Sequence, residues 1–120
     1  AYLPYKYEHN CVVYTGTHDN ETTKGWLEGL QGHDRDFVRE YINCYEAPVN
    51  DWVWGLIRIA LASVADLAVI PIQDYLGLDS DARINTPSTA GGNWSWRLRP
   101  GQIPEGLAEK MKAMARLYGR

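Results

Sequence analysis

An excess of positive charge is the first thing this chain lacks. Its 12 Lys and Arg stand against 15 Asp and Glu, a formal net charge of -3, with both signs scattered along 120 residues. No basic stripe offers a footprint for nucleic acid, and no polybasic cluster invites an anionic membrane. Long hydrophobic runs are missing too. The most apolar stretch, residues 59–72, contains Asp66 and falls short of the roughly 20 residues that span a bilayer. Cysteine is scarce: Cys11 and Cys44 are far from the disulfide framework of a small secreted domain, so two reduced thiols in a cytoplasmic protein are expected. From Ala1 onward no charged segment is followed by an apolar one, and no secretory signal is read there. His9, His18 and His33 show no metal-ligand spacing with the cysteines, so no metal site is expected.

Phenylalanine occurs once, whereas Trp occurs 5 times and Tyr 8 times. The aromatic side chains therefore mostly carry an N–H or O–H, which suits contact with a sugar face and its hydroxyls. Core packing is nonetheless the ordinary role of any one such ring. With 45% hydrophobic residues the chain has the means to bury a core.

The β-branched run Cys11-Val12-Val13-Tyr14-Thr15, ended by Gly16, predicts a buried strand. Asp19 or Asn20 is then expected to cap a helix with Glu21 in its first turn, Trp26, Leu27 and Leu30 on its apolar face, and Gly32 as its stop. Asp34 can cap a second helix through Phe37, Val38, Tyr41, Ile42 and Tyr45. A third helix over 51–63 is apolar almost all round and should be deeply buried. The unalternating run Leu67-Ala68-Val69-Ile70-Pro71-Ile72 predicts a parallel strand covered on both faces. Residues 77–101 are polar, Gly-rich and long for a structureless connection, and such loops are often functional. Pro104 is expected at the first position of a last helix carrying Leu107, Met111, Met114 and Tyr118 on one stripe.

The order strand, helices, strand, loop, helix is that of an α/β fold with two parallel strands in one unit, residues 1–120. Two such strands leave edges unpaired and one apolar face bare, so the fold is expected to be incomplete on its own.

Chemistry in a (β/α)8 barrel gathers at the C-terminal ends of strands. Thr17-His18-Asp19-Asn20 holds that position after the first strand, and Gln73-Asp74 after the second. A carboxylate beside an imidazole can hold sugar hydroxyls. Equally, Asp19 or Asn20 can be a helix cap and His18 a satisfied polar neighbour, and spacing alone favours that plainer reading.

Three blocks add a resemblance. Residues 12–26, Val-Val-Tyr-Thr-Gly-Thr-His-Asp-Asn-Glu-Thr-Thr-Lys-Gly-Trp, resemble a late-strand signature of the 4-α-glucanotransferases of the α-amylase clan. Ile70-Pro71-Ile72-Gln73-Asp74-Tyr75-Leu76-Gly77-Leu78 follows, then Ala82-Arg83-Ile84-Asn85-Thr86-Pro87 and Gly92-Asn93-Trp94-Ser95-Trp96-Arg97, in family order. The resemblance implies the C-terminal segment of a (β/α)8 TIM barrel. It also implies an enzyme that transfers α-1,4-glucan segments between malto-oligosaccharides with retention. On that basis Asp19 is the transition-state-stabilising third carboxylate, while His18 and Asn85 bind the sugar. Trp94 and Arg97 are expected to brace their loop. Retention requires a nucleophile and an acid/base; the family keeps them on earlier strands, and neither motif occurs here. The implied partners are α-1,4-glucans and the missing N-terminal part of the barrel, and the segment alone is expected to be inactive. The resemblance implies no organic cofactor either. A clan hydrolase or a noncatalytic carbohydrate-binding domain are the rival readings. A helical interaction domain would leave the long loop unexplained.

Overall fold

The computed structural model describes residues 3–120. Two short strands, β1 (Val12–Tyr14) and β2 (Leu67–Val69), pair in parallel, with Val12 opposite Leu67, Val13 opposite Ala68 and Tyr14 opposite Val69. A parallel pair needs a crossover rather than a hairpin. Three helices supply it: α1 (Thr23–Gly29), α2 (Gly32–Tyr41) and α3 (Val49–Ala62). Beyond β2 the chain forms the one-turn helix α4 (Ile72–Tyr75), a 3-10 turn (Ser80–Ala82) and finally α5 (Leu107–Leu117).

Helix α3 is the spine. Its Trp52, Val53, Ile57 and Leu61 form the main core with Leu27 of α1, Val38 of α2 and Met114 of α5. Leu27, Val53 and Ile57 are fully enclosed, and burial of each such side chain contributes about 1.5–3 kcal/mol. Trp52 donates its Nε1–H to the Ala47 carbonyl at 3.1 Å. Ala60 of α3 meets Val13 and Ala65 in a second small cluster that seats the strands on the helix. The end of α3 is clamped from afar: Arg120 donates to the carbonyls of Leu61, Ser63 and Ala65 at 2.8, 3.0 and 2.7 Å. A cation at these otherwise free carbonyls also suits the negative end of the helix dipole. Lys110 of α5 lies 3.8 Å from the Trp54 ring centroid, and Arg58 donates to Tyr118 Oη at 2.8 Å, which ties α5 back onto α3.

Several sequence expectations shift here. Neither Asp19 nor Asn20 caps α1. Thr22 does, its hydroxyl accepting from Gly25 N at 3.2 Å, because Asn20 Oδ1 is already engaged by Thr17 N and Thr17 Oγ1 at 2.7 and 2.9 Å. Gly32 opens α2 at φ +51° rather than stopping α1, which ends at Gly29 with Leu30 as its C-cap. Pro104 stays outside α5. The helix starts after Gly106, whose φ of +86° breaks the helical path, and Leu107 N reaches back to the Pro104 carbonyl at 3.3 Å. A Cβ at Gly25 would lie 2.7 Å from Ser80 Oγ and 2.9 Å from Glu21 Cδ, so a side chain there would require those two side chains to shift.

The two strands are covered on one side only. Only the face carrying Val13 and Ala68 is covered, by α3. Val12, Tyr14, Leu67 and Val69 point the other way and stay exposed, because the described helices contribute nothing to that side. The bare apolar face expected of an incomplete fold is thus present, whereas the coverage of both faces read from residues 67–72 is not met among the described residues. None of the described helices is long and apolar enough to cross a membrane. The parallel pairing also departs from the antiparallel sheet usual in carbohydrate-binding modules.

Candidate functional site

After β1 the chain turns sharply. The Asn20 side chain reaches back to Thr17 as above, and Asn20 N donates to the Thr17 carbonyl at 3.1 Å. This self-closed turn lifts His18 and Asp19 onto its apex, both about half exposed. His18 Nε2 lies 3.4 Å from Asp19 Oδ2, with side-chain exposures of 53% and 52%. The loop beyond β2 comes to meet them. Asn85 donates its Nδ2–H to Asp19 Oδ1 at 2.7 Å, and its backbone N–H donates to the His18 carbonyl at 3.1 Å. His18, Asp19 and Asn85 thus form one cluster at the C-terminal end of the strand pair.

Trp94 packs against His18. Its ring centroid is 5.0 Å from that of His18 at a 38° tilt, and its backbone N–H donates to the Ile84 carbonyl at 2.7 Å. Its φ of +59° is a strained conformation for a bulky residue, which the surrounding loop must over-determine. Asn93 contributes by accepting from Thr86 N at 2.8 Å and donating to Thr89 Oγ1 at 2.9 Å. Arg97 donates to the carbonyls of Trp94 and Trp96 at 3.2 and 2.9 Å, a bracing role.

Gln73 and Asp74 follow β2 and border the same cleft as His18, but their hydrogen bonds go elsewhere. Asp74 is only 2% exposed and accepts from Thr15 Oγ1, Thr23 Oγ1 and Thr23 N at 2.6, 2.7 and 2.9 Å. It pins both ends of the segment whose apex carries His18 and Asp19. Gln73 donates to the Ala82 carbonyl at 3.3 Å and steadies the start of the second loop.

Arg83 and Glu21 were not marked out as site residues by the sequence, and Glu21, expected in the first turn of α1, precedes its cap Thr22. Arg83 donates to the Asp19 and Asn85 carbonyls, each at 2.9 Å, and its Nη1 lies 3.9 Å from Glu21 Oε2. Glu21 in turn accepts from Ser80 Oγ at 3.0 Å. The position of Arg83 two residues before Asn85 was the available signal, but contacts to backbone carbonyls leave no trace in residue identity. A cleft of about 480 Å³ opens beside the cluster, bordered by Tyr14, His18, Asn20, Val69, Arg83 and Ile84. Among the described residues no three His, Cys, Asp or Glu side chains gather as a metal site would require.

The architecture is thus an α/β segment with a half-exposed carboxylate, imidazole and amide presented beyond two parallel strands. Comparison with known proteins gives it a family. The sequence profile described as 4-alpha-glucanotransferase matches residues 1–103, so the chain belongs to that family. A 4-alpha-glucanotransferase of Synechocystis is 47% identical over 99% of this chain, which covers 23% of that protein. The potato enzyme described as 4-alpha-glucanotransferase, chloroplastic/amyloplastic, is 44% identical over 99% of the chain, which covers 21% of it. In three dimensions the chain is similar to the amylomaltase of Streptococcus agalactiae in complex with acarbose, with a TM-score of 0.89 and 32% identity. That match takes in 98% of this chain and 23% of the amylomaltase. The chain spans about a quarter of the length of the relatives it matches.

Proposed function

We propose that residues 1–120 are the C-terminal portion of one (β/α)8 catalytic domain, and that the intact protein transfers α-1,4-glucan segments between malto-oligosaccharides with retention. The observation that carries this reading is the His18–Asp19–Asn85 cluster. Its place at the C-terminal end of β1 is where barrel enzymes hold their substrates. Likeness to an acarbose-bound amylomaltase supports a glucan as the ligand.

In this reading Asp19 grips hydroxyls of the sugar at the cleavage point, and the grip tightens as positive charge develops on the reacting carbon. Such contacts supply several kcal/mol in glycosidases. Asn85 holds Asp19 by one oxygen and leaves the second beside His18, so carboxylate and imidazole can share the hydroxyls of one ring. The nucleophile and the acid/base come from the part of the barrel outside these residues. That part also covers Val12, Tyr14, Leu67 and Val69, whose exposure would be costly in a finished domain. The protein acts in a reducing, cytoplasmic-type compartment, in keeping with Cys11 and Cys44 as free thiols.

The test uses the full-length protein with maltotriose, following glucose release and chain-length redistribution. Asp19→Ala leaves the fold intact and lowers turnover by about a hundred- to a thousandfold, the usual loss for one preorganised transition-state contact. Asp19→Asn isolates the charge. Turnover near wild type in both variants removes Asp19 from the chemistry. The isolated 120-residue chain is expected to be inactive; specific turnover abolished by Asp19→Ala would mean that it holds its own nucleophile and acid/base.

A further inference from the structure

We propose that Arg83 is a positioning residue of this site, holding the loop that carries Asp19 and the loop that carries Asn85 at a fixed separation. The proposal rests on the reading of the cluster given above. Its warrant is the geometry of one guanidinium. Arg83 Nη2 donates to the Asp19 carbonyl and Nε to the Asn85 carbonyl, each at 2.9 Å, while Nη1 faces Glu21 Oε2 at 3.9 Å. Three edges of one planar group therefore engage three segments: the turn after β1, the approach to α1, and the loop after β2. With its side chain 25% exposed and Glu21 27% exposed, the group is partly withdrawn from solvent.

Rigidity follows from planarity. A guanidinium presents its donors in a fixed fork, so the two carbonyls it bonds are held at a set distance and angle. Those carbonyls belong to the very residues whose side chains make the 2.7 Å amide–carboxylate bond. Fixing both backbones thus fixes where Asp19 presents its free oxygen. Lysine cannot substitute, because an ammonium on a flexible stem is a point charge without the fork. Glu21 adds a second restraint, since Ser80 Oγ donates to the same oxygen, Oε2, that faces Arg83.

The experiment is done on the full-length enzyme with maltotriose, comparing wild type, Arg83→Lys, Arg83→Ala and Asp19→Asn. For Arg83→Lys, kcat should fall about a hundredfold while KM and the melting temperature barely move, because displacing a group by an ångström has an effect of that size. Arg83→Ala should regain part of its turnover when free guanidinium is added at low, non-denaturing concentration, and added ammonium should not restore it. In the double variant, Arg83→Lys should lower turnover little further once Asp19 is already Asn, as expected for a residue that acts through another. A kcat for Arg83→Lys within about twofold of wild type would overturn the proposal. So would a loss of activity that merely follows a loss of folded protein, or a loss that adds in full to that of Asp19→Asn. If Asp19→Asn itself turns over like wild type, the site reading fails. If Asp19→Asn is impaired and Arg83→Lys is not, only the role of Arg83 fails.

Discussion

The side-chain amide of Asn85 donates to Asp19 Oδ1 over 2.7 Å, joining two loops whose residues lie 66 positions apart in the chain. One oxygen of Asp19 is thereby bonded to Asn85, and the other lies 3.4 Å from His18 Nε2. This single bond explains why a half-exposed carboxylate on a turn can keep one orientation.

Replacing Asn85 should therefore act through Asp19. In the full-length enzyme, Asn85→Ala is expected to lower kcat on maltotriose by about ten- to a hundredfold, at the modest end for loss of a preorganised contact. Asn85→Asp puts a second carboxyl against Asp19, and like charges at this range raise the pKa of the pair. Below that raised pKa a shared proton can stand in for the amide N–H. Above it, the two anions repel. The deficit of Asn85→Asp relative to wild type should accordingly shrink as pH falls, and a pH–rate profile of the two proteins checks it. A ratio independent of pH would mean that the Asn85–Asp19 bond does not set the carboxylate.

Asp74 gathers three donors in a nearly solvent-free place. Asp74→Ala strands the Thr23 N–H and two threonine hydroxyls, and hydrogen bonds to a buried charge are the stronger kind. We expect a loss of about 2–4 kcal/mol, read as a lower denaturant midpoint of the full-length protein. Asp74→Asn keeps the shape but offers a single acceptor oxygen, so its midpoint should fall between the two. An unchanged midpoint for Asp74→Ala would show that the strand end and the start of α1 are held by other contacts.

Burial pushes the Cys44 thiol above its usual pKa, and the nearby Asp51 carboxylate pushes it further the same way. A raised acid pKa means less thiolate in the folded protein than in the unfolded chain at any pH below it. Alkylation of Cys44 by iodoacetamide near pH 8 should thus be slower in the native protein than in denaturant, beyond any difference in access. Asp51→Asn should speed the native reaction. Mass spectrometry of the Cys44 peptide over time gives both rates. Equal rates for the native proteins with Asp51 and with Asn would remove the electrostatic cause.

Much of the framework was legible in the residues. The β-branched run at Val12–Tyr14 and the unalternating run at Leu67–Val69 announced strands, and the apolar stretch around Ile57 announced the central helix. Helix starts were read less well. Asp19 and Asn20 look like caps, yet Asn20 is spent on closing its own turn and the cap passes to Thr22. Candidate caps within a few residues compete for the same backbone, and identity alone does not say which one wins. His18, Asp19 and Asn85 entered as site residues through family resemblance, since spacing by itself favoured a plain structural role for the turn.

Sequence by itself determined what depends on local periodicity and composition: two apolar strands of parallel type, helices between them, a long polar loop, and scattered charge without a basic patch. It also carried, in three ordered blocks, the family to which the chain belongs. Only the tertiary structure decided which loops meet. The bond between Asn85 and Asp19, the reach of Arg83 to two carbonyls, the burial of Asp74 and the clamp of Arg120 on α3 all join residues far apart or act on main-chain atoms. Every residue except proline offers the same backbone N–H and C=O, so such contacts are encoded in how elements pack and not in any local pattern. A bare strand face was expected from the sequence, but that it is the face of Val12, Tyr14, Leu67 and Val69 was decided by where the helices settle.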